Sequence, residues 1–179
     1  MVNKDLLLDL YRHMEWADAA VWTAVLAADD GPSDPKIHGY FYHLHMVQRA
    51  FLRTWRGEPR DTPYPTFDKA PALMLWGQTY FSEAFEHLET LNEAKLSEPM
   101  PMPWASMVAE RLGRAPEVTT IGDTALQVAL HSTYHRGQIN ARLREVGGEP
   151  PLVDYIAWIW LGRPAAAWPQ DPADPPNQL

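Results

Sequence analysis

Ile121-Gly122-Asp123-Thr124-Ala125-Leu126-Gln127-Val128-Ala129-Leu130-His131-Ser132-Thr133-Tyr134-His135-Arg136-Gly137-Gln138 decides how this chain folds. Thr119 or Thr120 provides the N-cap of a helix that runs to about residue 147, where Gly147-Gly148 and Pro150-Pro151 stop it. With His131 placed at 0°, Thr124, Val128, His135, Gln138, Ile139, Arg142 and Val146 share its face, mixed polar and apolar as a pocket wall is. Leu126, Leu130, Tyr134, Gly137 and Ala141 form a second stripe. A helix occupied on two sides is either central in a bundle or in contact with a second subunit. Gly137, which costs about 1 kcal/mol against Ala, is expected to mark a close helix approach.

Working outward, three more long helices are predicted. Leu7, Leu10, Met14, Val21 and Val25 recur at helical spacing between about residues 3 and 28. Gly31-Pro32-Ser33-Asp34-Pro35 ends that helix and starts a second, capped by Ser33 or Asp34, which runs to about Trp55. Pro59, Pro63 and Pro65 keep residues 57–67 in a loop, and a third helix spans about Lys69 to Ala94. Pro99, Pro101, Pro103 and Pro116 break the next segment, leaving a helical turn at Met107–Leu112 and an extended stretch at Pro116–Thr119. A short aromatic helix at about 152–162 follows the long one. The expected fold is all-α: an up-and-down four-helix bundle over residues 1–162 with a short extra C-terminal helix, then a Pro-rich tail, 163–179, that straps the surface or is disordered.

Composition removes several function classes. The formal charge of −8 repels phosphate backbones, and Arg136, Arg142 and Arg144 read as a solvated edge with ion pairs, so nucleic acid is not an expected partner. No cysteine is present, so a metal must be held by His, Asp or Glu. The N-terminus lacks an apolar signal region and no run approaches the roughly 20 apolar residues of a membrane span, so a soluble cytoplasmic protein is expected.

Seven histidines are available. His131 and His135 are one turn apart, with Cβ atoms roughly 5–6 Å from each other. On the second helix His43 lies at the edge of the apolar stripe formed by Tyr40, Leu44, Val47 and Phe51, whereas His38 and His45 project to the solvated side. His13 and His87 take flank positions. His43, His131 and His135 are therefore the candidate metal ligands. Three protein nitrogens with an open position is the catalytic arrangement of zinc, and nickel, cobalt or iron suit the same donors. Asp18, beside Met14, is placed to orient a ligand imidazole or to pair with an arginine, and Gln138 is a second candidate for that orienting role. His-Glu-x-x-His, Glu-x-x-His, P-loop and Gly-x-Ser-x-Gly patterns are absent, leaving a metal as the one visible chemical tool.

His131-x-x-x-His135-Arg136-Gly137-Gln138 with Gly147 and Pro150-Pro151 resembles the last bundle helix of the DinB/YfiT-like family. His43 with Phe51-Leu52 and Gly57-Glu58-Pro59 resembles its second helix, and Trp16-Ala17-Asp18 its first, where the family pattern has Asn in place of Asp18. The resemblance implies a four-helix bundle, a divalent metal on His43, His131 and His135, and frequently a homodimer. It also implies a small-molecule substrate, with a low-molecular-weight thiol such as bacillithiol, mycothiol or glutathione used by some members. The expected function is a metal-dependent thiol S-transferase or hydrolase; the alternative is a non-catalytic, stress-related metal- or ligand-binding bundle.

Overall fold

The computed structural model describes residues 2–59 and 61–170. Seven helices form there: α1 Lys4–Ala27, α2 Pro35–Trp55, α3 Ala70–Thr90, α4 Glu93–Leu96, α5 Ala105–Leu112, α6 Ile121–Glu145 and α7 Tyr155–Trp160. The fold is all-helical; among the described residues the one β feature is an isolated bridge between Pro99 and Thr120. Among the described residues no helix is long and apolar enough to cross a membrane.

Local chemistry sets the helix ends. The Asn3 carboxamide accepts from the Leu6 N–H at the start of α1. Asp34 accepts from the N–H groups of Lys36 and Ile37, with Pro35 pre-set for the first turn of α2. Thr120 and Asp123 form a reciprocal capping box at α6. At the far end of α6, Gly147 takes a φ of +82°, the left-handed conformation that favours glycine. The third helix ends sooner than expected, because Asn92 starts a separate turn, α4, by accepting from the Lys95 N–H.

The four long helices close a ring of contacts in the order α1, α6, α2, α3. Two apolar clusters fill its interior. One joins Leu7, Tyr11 and Met14 of α1 to Phe51 and Leu52 of α2, Tyr80 to Leu88 of α3, and Ala125 to Ala129 of α6. The other joins Val21 to Val25 with Ile37 to Leu44, Ala70 to Met74, and Ile139 and Leu143. These memberships give the helix directions: α1 and α6 run one way, α2 and α3 the other. The expected up-and-down order is thus corrected, since α2 and α3 are parallel. The reason is chain length. A 21-residue helix spans about 31 Å, and the Pro-rich connection 56–69 is long enough to return over that distance.

The tail begins by returning to the body. The Trp168 indole packs against both clusters, lies 5.8 Å from the Phe81 ring, and donates to Glu15 Oε1 at 3.3 Å. Residues 171–179, the rest of the expected tail, lie outside the described residues.

Candidate metal centre

His43 from α2 and His131 and His135 from α6 meet at mid-height of the ring. One ligand atom from each lies within 4.8 Å of the others, and the Nε2 atoms of His131 and His135 are 3.1 Å apart. The ring centroids of His43 lie 4.6 Å from His135 and 5.3 Å from His131. All three are half-buried, so the cluster opens to solvent on one side. Burial, reinforced by repulsion from His135 and His43, pushes the His131 pKa down to about 4. Burial and His43 lower that of His135 as well. Both imidazoles are therefore neutral near pH 7 and keep a lone pair to offer.

This donor set fits a nitrogen-preferring divalent cation. On a tetrahedral ion with metal–nitrogen bonds of about 2.0–2.1 Å, neighbouring nitrogens sit about 3.3 Å apart, close to the observed separation. His135 Nδ1 and Gln138 Oε1 are buried, one turn apart, and neither has a hydrogen-bond partner. The Gln138 amide instead donates to the Tyr134 hydroxyl at 3.3 Å, and the Tyr134 ring stands edge-on to His135 at 5.1 Å.

The other predicted residues are placed differently. Asp18 is fully buried and takes the arginine-paired alternative: its Oδ1 accepts from Arg136 at 2.7 Å and its Oδ2 from Gln48 at 3.0 Å. Among the described residues it bonds none of the three imidazoles. Arg136 is not on a solvated edge, being 2% exposed; Arg142, by contrast, is partly exposed and pairs with Asp34 at 2.7 Å. His45, expected in solvent, is completely buried. His13, expected on a flank, is buried under α7, with Nε2 donating to the Val153 carbonyl at 2.9 Å. Gly137 marks no close approach, since a Cβ there would meet nothing within 4 Å.

The corrections on α2 and α6 share one cause. The buried residues of α2 are Ile37, Phe41, Leu44, His45, Gln48, Phe51 and Leu52, which centre about 140° from His43. Centring the stripe on Val47 and Tyr40 misplaces the core. On α6 the buried set, including Ala125, Ser132, Arg136, Ile139 and Leu143, centres about 115° from His131. The three histidines thus occupy the facing flanks of two antiparallel helices rather than the core itself. Missed altogether was Gln48, although a polar residue in a 37/41/44/48/52 register is a visible signal.

Behind the histidines lies a buried polar layer. The Trp22 indole N–H, a donor only, reaches His45 Nε2 at 3.0 Å, so the His45 proton resides on Nδ1 and donates to Gln48 Oε1 at 2.9 Å. The Gln48 amide then donates to Asp18 and, at 3.2 Å, to Ser132 Oγ. Burial lowers the His45 pKa, consistent with this neutral tautomer. Each link of the chain sets a donor against an acceptor, which is what polar groups in a dry core require.

The DinB family model matches residues 1–167, whereas no curated protein matches the chain. That match takes in all seven helices and the three clustered histidines, so the chain belongs to the DinB family.

Proposed function

We propose that this four-helix bundle is a cytoplasmic, divalent-metal-dependent enzyme, a thiol S-transferase or a hydrolase, with His43, His131 and His135 as the ligands. The observation that carries the reading is the convergence of three imidazoles, at least two of them held neutral, from two helices that share no local sequence. Their half-burial favours catalysis over a closed structural site, because the cluster is not sealed from solvent. A cation such as zinc or nickel, when bound, supplies a Lewis acid that lowers the pKa of a water or thiol presented to it. The protein's own part is orientation. Gln138 Oε1 and His135 Nδ1, buried one turn apart and without partners, would on pairing fix the His135 proton on Nδ1 and leave Nε2 free to hold a cation.

A homodimer belongs to the same reading. Leu130 and Tyr134 are 59% and 65% exposed on the outer stripe of α6, an apolar surface that a second copy would cover. The catalytic claim is tested by offering low-molecular-weight thiols with electrophilic acceptors to metal-loaded protein and to His43→Ala. Turnover by the first and not the second is expected. Metal-loaded protein that turns over no common thiol and hydrolyses no ester or amide probe would favour a binding function.

A further inference from the structure

We propose that the buried chain Trp22–His45–Gln48–Asp18–Arg136, closed by Ser132, is a positioning device that sets the register of α2 against α6 and thereby the convergence of His43 on His131 and His135. This rests on the metal-binding reading above.

The layer and the histidines occupy one level of the molecule. Asp18, His45, Gln48, Ser132 and Arg136 separate the two apolar clusters, each helix passing from one cluster to the other through this level. On α6 the ligands alternate with the layer: Ser132 follows His131 and Arg136 follows His135. On α2, His43 and His45 point about 160° apart, so fixing His45 in the interior fixes His43 in the groove. Gln48 ties the two helices directly through Ser132 Oγ at 3.2 Å, and indirectly through Asp18 to Arg136.

Apolar packing alone specifies axial position weakly. A slide of one residue along a helix is about 1.5 Å, which slippery side chains tolerate but the 3.2 Å hydrogen bond from Gln48 of α2 to Ser132 Oγ of α6 does not. The same slide exceeds the few tenths of an ångström that metal–nitrogen bonds allow. A buried ion pair is a weak source of net stability, often matched by apolar residues of equal volume, whereas register is its best-attested use. The third neighbour supports the assignment: a Cβ on Gly77 of α3 would overlap the His45 ring, so α3 provides a seat cut for that imidazole.

Co(II) titration in competition with a chelator, followed by the visible spectrum of the bound ion, tests the device. Gln48→Leu removes three hydrogen bonds at near-constant volume. Asp18→Asn and Gln48→Glu each create a mismatch, donor against donor or carboxylate against carboxylate. The double variant Asp18→Asn/Gln48→Glu restores both polarity and total charge isosterically, so it keeps the test alive should Gln48→Leu fail to fold. Each single variant is expected to bind Co(II) about ten- to a hundredfold more weakly with an altered spectrum. The double variant should return to within about threefold of wild type. Leu73→Ala, an apolar truncation in the core away from the layer, should lose stability yet keep affinity and spectrum. Folded single variants with wild-type affinity, a double variant no better than the singles, or an equal loss in Leu73→Ala overturns the device. Wild-type protein that binds no Co(II) overturns the metal-site reading itself.

Discussion

His131, with its pKa pushed down to about 4, sets the direction of the protein's response to acid. His13, His45, His87 and His135 are lowered too, each chiefly because burial penalises the charged ring. In the unfolded chain these rings protonate near 6.5, so below that pH the unfolded state binds more protons than the folded one. The stability they permit is complete above about 6.5 and is lost as pH falls toward the folded values. Glu15, raised by burial, works in the opposite sense but stands alone against five rings. The thermal midpoint of metal-free protein should therefore drop between about pH 7.5 and about pH 5. A flat or rising midpoint over that interval contradicts the assignment of neutral, desolvated imidazoles.

The helices are where the sequence was most legible, and for a local reason. Starts and stops depend on a few adjacent residues, and Asp34-Pro35, Thr120 and Gly147-Gly148 all lie where the caps were expected. Orientation about the helix axis was less legible, because it depends on neighbours that a projection does not contain. Half-buried Tyr40 and Val47 drew the stripe of α2 toward His43 and hid His45 and Gln48. His43 was still selected, since a groove flank and a core edge project nearly alike. At this scale Asp34 carries two loads. It caps α2 and accepts from Arg142 of α6 through both carboxylate oxygens, and Arg142 holds its carboxyl below the usual range. Asp34→Ala should destabilise the protein by about 1–2 kcal/mol in urea unfolding, with Asp34→Asn recovering most of the cap. An alanine variant within about 0.3 kcal/mol of wild type would show that the cap is idle.

For the molecule as a whole, topology was the hardest thing to read. The number of long helices follows from periodicity, but whether α3 returns beside α2 parallel or antiparallel turns on the path of residues 56–69, which no period encodes. The outer stripe of α6 was legible as apolar, and in the single chain it stays uncovered: Leu130 and Tyr134 there, with Leu152, Ile156 and Trp160, are all exposed. If a second copy covers it, Leu130→Lys should convert a sedimenting dimer to monomer with its helix content unchanged. Wild-type protein that sediments as a monomer at micromolar concentration removes the dimer from the account. The central claim, however, is the metal centre of His43, His131 and His135, and its most direct test is the metal content of protein purified without chelators. One nitrogen-preferring divalent ion per chain is predicted, lost in His43→Ala, His131→Ala and His135→Ala. Protein without stoichiometric metal, whose affinity for added zinc is unchanged by all three substitutions, would contradict it.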